Sequence, residues 1–430
     1  MLIFIENTPK SYAWGSKDAI PEMLGVAPTG EPQAELWLGA HPGSPAHVAK
    51  ATNAQRTLID LIESDPERWG VDGGPLPFLL KVLAIEAPLS LQVHPDRDQA
   101  FAGFAAEERA GVPREARERN YGDANHKPEL LVALTEVRAL CGFRPLAEVR
   151  HDVARLSAAA HAAGDEAGAA ALAAVGDRLA GEDPEPVRLG FLRWVFTGDP
   201  AVPAALRALT DLSEIARGRT PQARAEAAAD WDPDRVAALK ALIASHPSDP
   251  GVLVSLLLHV VRLAPGEAIF LGPRQLHAYL DGVAVEVMAA SDNVLRAGLT
   301  EKHVDVAELT RIVDPGEIES PRQPCERLAP GLVAWRPGVP DFQLLRARLF
   351  DPDRDETVGS GIDEAAEQVT VEARRPLVLV VVQGKIEIDR PLAAPAEYAK
   401  AKRGQSVYVS AGEPIELRGR GEVFLATVGS

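Results

Sequence analysis

Residues 77–95 read PFLLKVLAIEAPLSLQVHP and hold two short apolar runs of the kind that form buried β-strands. Side chains alternate along a strand, so the leucines and the valine of the second run share one face. Ser90, Gln92 and His94 share the other face. An amide oxygen and an imidazole two residues apart can both reach one metal ion, although a polar strand face open to water has the same pattern.

Further strand-like sequences lie on both sides of a block that has a different composition. Apolar runs occur again at residues 252–263 and 268–290. The segments at 377–388 and 405–428 show the alternating pattern of sheet strands, and Gly and Pro turns separate these strands. Residues 146–250 are instead rich in alanine and other strong helix formers. The sequence therefore predicts a mainly β protein with an α-helical insertion, built from two cupin-like (jelly-roll) β domains plus a helical domain.

Domain boundaries follow from these changes in composition. We expect a discontinuous metal-binding catalytic domain formed by residues 1–145 and 251–318. Residues 146–250 form the helical insertion, which we expect to supply no metal ligand but to form one wall of the active-site cleft. Residues 319–430 form a second cupin-like domain without a metal site, since no histidine lies beyond His303.

Composition excludes several classes of function. Lys plus Arg number 45 and Asp plus Glu 62, a net charge of −17 that disfavours nucleic acid and anionic membranes as partners. No run is long enough for a membrane span, and the N-terminus lacks the pattern of a signal peptide. With two cysteines only, a disulfide framework is excluded. We expect a cytoplasmic monomer acting on a small molecule.

A carboxylate begins the third β-type run. Glu129 follows His126-Lys127-Pro128 and opens ELLVALTEV, residues 129–137. Burying a carboxylate in such a strand is costly unless a cation compensates it, whereas at a strand end it could remain solvated. Glu129 is therefore a candidate metal ligand.

A histidine and a second glutamate flank Asp281-Gly282. This dipeptide between alternating runs is a strong hairpin signal, and a two-residue loop would place His277 directly opposite Glu286. Carboxylates commonly orient metal-bound imidazoles, so the pair favours a metal site over a lone core histidine.

Four residues could thus form one mixed nitrogen and oxygen site. Two imidazoles and a carboxylate suit zinc, manganese, cobalt or ferrous iron. We expect one divalent metal per chain, with other histidines, including His41, His47 and His126, as competitors. The predicted ligands are Gln92, His94, Glu129 and His277.

Six motifs in order resemble a known family, type I mannose-6-phosphate isomerase, from residue 12 to about residue 306. They are YAWGS (12–16), AELWLGAHP (34–42), SLQVHPD (90–96), HKPE (126–129), LCGFRP (140–145) and DNVLRAGLT (292–300).

The resemblance implies zinc at the four ligands named above and two cupin-like domains with a helical domain inserted. It also implies an active-site arginine and lysine at Arg296 and Lys302. The implied reaction interconverts mannose 6-phosphate and fructose 6-phosphate through an enediol(ate), as used in carbohydrate metabolism and GDP-mannose biosynthesis. Arg296 could stabilise the developing charge or grip the phosphate.

The general base stays open between Glu286, Lys127 and a histidine that binds no metal. Two other functions also stay open. A two-histidine, one-carboxylate cupin could be a ferrous oxygenase, although a Gln92 ligand argues against it, and a sugar-binding cupin could lack catalysis. Residues expected to line the substrate pocket are Trp14, Glu35, Tyr279 and Ser90.

Overall fold

The computed structural model describes residues 1–49, 56–218, 232–350 and 364–429. None of the helices in these ranges combines the length and apolar character needed to cross a membrane. The helices, in chain order, are α1 (Ala19–Leu24), α2 (Leu58–Ser64), α3 (Pro66–Trp69), α4 (Arg97–Ala110), α5 (Leu146–Ala162), α6 (Glu166–Arg178), α7 (Pro184–Val195), α8 (Ala201–Gly218), α9 (Pro233–Ser245), α10 (Gly251–Ser255) and α11 (Val306–Ile312).

The strands form two antiparallel sheets. They are β1 (Leu2–Glu6), β2 (Glu35–Leu38), β3 (His47–Val48), β4 (Phe78–Ile85), β5 (Gln92–Val93), β6 (Glu129–Ala133), β7 (Val137–Phe143), β8 (Leu258–Leu263), β9 (Ala268–Leu271), β10 (His277–Ala289), β11 (Leu295–Arg296), β12 (Glu326–Ala329), β13 (Leu332–Trp335), β14 (Gln343–Leu349), β15 (Gln368–Val371), β16 (Leu377–Arg390), β17 (Glu397–Lys402), β18 (Ser406–Val409) and β19 (Ile415–Thr427).

We call the two sheets sheet I and sheet II. Sheet I contains β2 and β4 to β11, with β10 at its centre. Sheet II contains β1, β3 and β12 to β19. Because α5 to α9 lie between β7 and β8 in the chain, the predicted fold class, mainly β with a helical insertion, is confirmed.

The first strand crosses the predicted domain boundary. β1 pairs with β18 of sheet II, so that Ile3 lies opposite Tyr408. The side chains between the two sheets form one apolar core, which includes Leu80 and Val285 of sheet I and Trp335 of sheet II. The N-terminal residues therefore tie the two β regions together.

The predicted Asp281-Gly282 hairpin is wrong. β10 runs through these residues as one strand, pairing with β7 and β5 before them and with β4 and β6 after them. The register shifts between Tyr279 and Asp281, and Gly282 has φ +105°. The Asp281 carboxylate accepts a hydrogen bond from Arg138 Nε at 2.8 Å. The dipeptide therefore marks a β-bulge between neighbours that hold both halves of the strand.

The bulge determines which side chains of β10 lie on the same face of the strand. In a regular strand, residues seven apart point to opposite faces. One extra residue reverses that relation, so Tyr279 and Glu286 point to the same side, and the Tyr279 hydroxyl donates to Glu286 Oε1 at 2.8 Å.

Other predicted elements differ in extent. Residues 252–263, which have a β-type sequence, form α10 followed by β8, since an apolar run of this length does not distinguish a short buried helix from a strand. Residues 129–137 are divided between β6 and β7. Helix α11 is capped in its first turn by Asp305, whose side chain accepts from the Glu308 backbone N–H at 3.0 Å.

In the 88–95 segment, the side chains on the face opposite Gln92 belong to the apolar core that the helices form, which we call the helical core. Leu91 and Val93 are fully buried against residues of α5 to α9 and of α10. Only Gln92 and Val93 form a regular strand, because neighbouring N–H groups bond elsewhere: Leu89 to the Tyr279 carbonyl and Leu91 to the Gly298 carbonyl. The helical core thus supports the segment that carries His94.

Candidate metal centre

Three predicted ligands converge in sheet I. His94 follows β5, Glu129 begins β6 and His277 begins β10, and all three are buried. Glu129 Oε1 lies 3.3 Å from His94 Nε2, and Glu129 Oε2 lies 3.5 Å from His277 Nε2. Among the described residues this is the one group of three or more His, Cys, Asp or Glu whose ligand atoms lie within 4.8 Å of one another.

Both imidazoles are oriented with Nε2 towards Glu129. His94 Nδ1 lies 2.7 Å from the Asn293 carbonyl oxygen, and His277 Nδ1 lies 2.9 Å from the Gln275 carbonyl oxygen. A carbonyl only accepts, so each Nδ1 carries the proton and each Nε2 keeps a lone pair. His94 Nε2 is buried without a hydrogen-bond partner. An orphaned lone pair beside a carboxylate and a second imidazole fits a divalent metal ion.

The charges around this group keep the ligands in their metal-binding forms. Burial, followed by the positive charge of Lys127, lowers the pKa of His94 to about 4. Burial alone would raise the pKa of Glu129, but Lys127 and His94 outweigh it and hold that pKa well below its usual range. Lys127 Nζ lies 2.8 Å from Glu129 Oε1. At neutral pH the site therefore offers a carboxylate and a neutral imidazole.

Gln92 lies next to the group. Its backbone is opposite His277 on one side and Arg296 on the other. Its amide Nε2 donates to Ser90 Oγ at 3.4 Å, and its side chain lines the same cavity as Glu129 and His277.

This cavity has a volume of about 50 Å³ and lies between β4, β6 and β10. Ser90 contacts it only through Gln92, whereas two other predicted pocket residues, Glu35 and Tyr279, line it directly. The charged side chains lining it are Glu35, Lys81, Lys127, Glu129 and Glu286.

Lys81 is a site residue that the sequence analysis did not select. Its Nζ lies 3.2 Å from Glu286 Oε2 and 3.8 Å from Glu35 Oε2. Burial alone would lower the pKa of Lys81, but the two glutamates and Glu129 raise it above its usual value. The sequence pattern could have identified Lys81, since a lysine inside the apolar run FLLKVLAI needs a buried anion just as Glu129 needs a cation.

Burial and a neighbouring lysine have opposite effects on the pKa of Glu286. Burial raises its pKa, and Lys81 lowers it by less. Glu286 is not opposite His277 as the hairpin predicted, but lies opposite Lys81 of β4 and Leu131 of β6. It reaches the metal group through Tyr279, whose hydroxyl also lies 3.4 Å from Glu129 Oε2.

Three further predicted residues lie outside this small cavity. Trp14 is half-buried, stacks on Tyr12 with ring centroids 5.9 Å apart, and packs against the apolar cluster behind the cavity. Arg296 lies in β11, where burial lowers its pKa. Lys302 is exposed, and its pKa is lowered by the positive charge of Arg296 and then by burial.

The competing histidines lie outside the metal group. His41 Nε2 lies 3.5 Å from Asp292 Oδ1, and His126 Nε2 lies 2.8 Å from Asp341 Oδ2. His47 lies in β3 of sheet II.

The chain is similar to proteins of one enzyme family. A family model described as phosphomannose isomerase type I, catalytic domain, matches residues 2–146. The mannose-6-phosphate isomerase of Escherichia coli (strain K12) is 35% identical over 424 residues, which cover 97% of each chain. That of Salmonella typhimurium is 40% identical over 309 residues, 70% of this chain and 72% of the relative.

Solved structures show the same relationship. The crystal structure of a mutant phosphomannose isomerase from Salmonella typhimurium covers 100% of both chains with a TM-score of 0.80 and 31% identity. A zinc-bound holo mannose 6-phosphate isomerase also covers 100% of both chains, with a TM-score of 0.79 and 30% identity. The similarity in fold therefore extends over the whole chain.

Proposed function

The chain belongs to the type I phosphomannose isomerase family, and from this premise we propose that it is a metal-dependent enzyme interconverting mannose 6-phosphate and fructose 6-phosphate. The observation that carries the proposal is the buried group of His94, Glu129 and His277, with its orphaned Nε2, beside a second buried carboxylate, Glu286. One face of the cavity can thus hold a divalent ion while a neighbouring group moves a proton.

We assign one Zn²⁺ per chain to His94, Glu129 and His277, with the amide oxygen of Gln92 as the fourth protein ligand. Two imidazoles, a carboxylate and an amide suit this borderline ion. When bound, the ion supplies Lewis-acid polarisation of the sugar oxygens at C1 and C2. Asn293 and Gln275 orient the imidazoles through their carbonyl groups.

Glu286 is the general base in this proposal. It accepts the proton from C2 of the open-chain aldose; the C–H electron pair forms the C1–C2 double bond while the π pair of the C1 carbonyl moves to O1, giving the enediol(ate). The proton then returns to C1 as the C2–O bond becomes the carbonyl, and the C2 hydroxyl proton passes to O1. A carboxylate whose pKa is raised by burial is suited to both steps. Lys127 is the weaker candidate, because its ammonium group contacts Glu129 at 2.8 Å and has no lone pair to accept a proton.

The remaining site residues bind and orient the substrate. Arg296 lies opposite Gln92 across the β5–β11 pair, where its guanidinium can stabilise the enediolate charge, and the exposed Lys302 beside it can bind the phosphate. We assign sugar contacts to the side chains that line or flank the cavity: Trp14, Glu35, Tyr279 and Ser90.

The comparisons do not favour the alternatives of a ferrous oxygenase or a sugar-binding protein without catalysis. We further propose that the protein is a cytoplasmic monomer whose product supplies GDP-mannose biosynthesis. Free Cys141 and Cys325 support a reducing compartment. Gel filtration with light scattering tests the monomer, which a dimer mass at micromolar concentration would overturn.

A coupled assay tests the activity. Purified protein is assayed with mannose 6-phosphate before chelation, after chelation and after addition of Zn²⁺. We expect turnover that is abolished by the chelator and restored by zinc. Full turnover in protein shown to be metal-free would overturn the proposal. Oxygen uptake with Fe²⁺ in place of isomerisation would establish the oxygenase instead.

A further inference from the structure

A residue in an unfavourable backbone conformation lies beside the metal centre. Arg274 has φ +70°, a left-handed conformation that side chains with a Cβ atom rarely adopt. It lies in the four-residue turn Gly272–Gln275 between β9 and β10, three residues before His277. Such strain persists only where surrounding contacts hold it, and it concentrates at functional sites.

The backbone contacts of this turn reach both imidazole ligands. The N–H of Arg274 donates to the His94 carbonyl oxygen at 2.7 Å. The carbonyl of the next residue, Gln275, accepts the Nδ1 proton of His277 at 2.9 Å. Gln275 is itself held in place, because its side-chain Oε1 accepts from the Gly272 N–H at 3.1 Å. A two-residue stretch thus connects the chain segments of two metal ligands that are far apart in sequence.

The side chain and the carbonyl of Arg274 fasten this turn to α11. Its Nε donates to the carbonyl oxygen of Ile312, the last residue of α11, at 3.0 Å. Its own carbonyl accepts from the Asp314 N–H at 2.9 Å. The carbonyls in the last turn of a helix lack partners within the helix, so this hydrogen bond also satisfies a helix end.

We propose that Arg274 is a positioning residue of the metal centre. Its left-handed backbone holds the main chain at His94 and, through Gln275, the ring of His277, while its guanidinium anchors the turn to α11. The inference rests on the metal-binding part of the proposed function. It assigns no contact between Arg274 and the metal or the substrate.

Metal affinity and metal spectroscopy test the proposal independently of turnover. Apoprotein is titrated with Co²⁺, and its dissociation constant and visible d–d spectrum are recorded for wild type, Arg274→Ala, Arg274→Gly and Arg274→Lys. Loss of a group that orients a ligand typically weakens metal binding roughly 10–100-fold. We expect this loss and altered band positions in the alanine and glycine variants, with recovery towards wild type in Arg274→Lys, which keeps a donor for Ile312.

Arg322→Ala is the matched control. The guanidinium of Arg322 also donates to a backbone carbonyl, that of Arg262 at 2.7 Å, but it contacts neither imidazole segment. Far-UV circular dichroism and thermal unfolding of each variant separate a general loss of stability from a loss of metal geometry. We expect Arg322→Ala to keep the wild-type cobalt affinity and spectrum even if its unfolding temperature falls.

The outcomes separate this inference from the proposed function. Wild-type cobalt affinity and spectrum in both Arg274→Ala and Arg274→Gly would overturn it, as would losses no larger than in Arg322→Ala. A wild-type protein that binds cobalt but isomerises no sugar phosphate would overturn the proposed function and leave the positioning role standing. A wild type that fails to bind cobalt would overturn both.

Discussion

The carboxylate of Asp249 accepts a hydrogen bond from the backbone N–H of Thr300, with 3.0 Å between Oδ2 and the nitrogen. Its other oxygen accepts from the Gly251 N–H at 2.7 Å. A Cβ atom at Gly251 would lie 2.6 Å from the Leu299 nitrogen, so the two backbones are in close contact. The end of the helical insertion thus holds the loop that follows Arg296, although its described residues supply no member of the metal group.

Asp249→Ala should therefore raise KM for mannose 6-phosphate more than it lowers metal content. Loss of the carboxylate releases the Thr300 N–H and frees the loop that carries Lys302. Steady-state kinetics and elemental analysis measure the two effects. Asp232→Ala is the control, because the Asp232 carboxylate likewise accepts from the backbone N–H two residues further on, that of Asp234 at 3.0 Å, but does not touch this loop. Equal KM values in the two variants would contradict the prediction.

His277→Ala should lose the metal, and His303→Ala should keep it. His277 belongs to the buried group of proposed ligands, whereas His303 is exposed. Removing one of the protein ligands leaves the ion with an incomplete shell. Elemental analysis after washing with a chelator provides the measurement, with an expected value of one metal per chain for wild type and for His303→Ala. Stoichiometric metal in His277→Ala would remove it from the ligand set.

Arg296→Ala should lower kcat by roughly 10²–10³ while the metal is retained, the usual loss for one oxyanion donor. A guanidinium has no free lone pair, so it cannot ligate the ion and must act on anions. If Arg296 instead holds the phosphate equally in ground and transition states, KM rises and kcat is unchanged. Assays with phosphorylated and unphosphorylated mannose separate the two roles, and unchanged kinetics at full metal content would exclude Arg296 from the site.

Lys81→Met should move the acidic limb of the pH profile of kcat/KM to higher pH. Burial raises the pKa of Glu286, and Lys81 lowers it from 3.2 Å away. Without Lys81 the pKa of Glu286 rises further, and a base that must be deprotonated is lost at a higher pH as the solution is acidified. Lys402→Met, which changes an exposed lysine of sheet II, should leave the limb in place. A shift to lower pH would exclude Glu286 as the base.

Gly282→Ala should destabilise the protein by about 1–3 kcal/mol, the range for a strained backbone position. Gly282 has φ +105°, and a Cβ there would lie 2.4 Å from the Glu136 carbonyl oxygen. Urea unfolding gives the free energy. Gly190→Ala in α7 is the control, since a Cβ there meets nothing within 4 Å and should stabilise the helix by about 0.5–1 kcal/mol. Equal stability of Gly282→Ala and wild type would contradict the bulge as a strained feature.

The sequence by itself determined the fold class and the candidate ligands. Apolar runs of period two and a helix-forming block are local patterns, and both were recovered in the structure. Glu129 could be selected because a carboxylate in an apolar strand requires a compensating cation, and His94 because it shares a strand face with Gln92. His277 was selected from a hairpin that does not form.

Only the tertiary structure decided which segments became partners. Asp281-Gly282 has the local signature of a turn, but β4, β6 and β7 hold both halves of β10 and convert it into a bulge. That bulge brings Glu286 to Tyr279 and Lys81, a set that spacing along the chain did not reveal. The physical reason is that a local sequence restricts backbone dihedrals and side-chain alternation, whereas register and bulges depend on hydrogen bonds to strands distant in sequence.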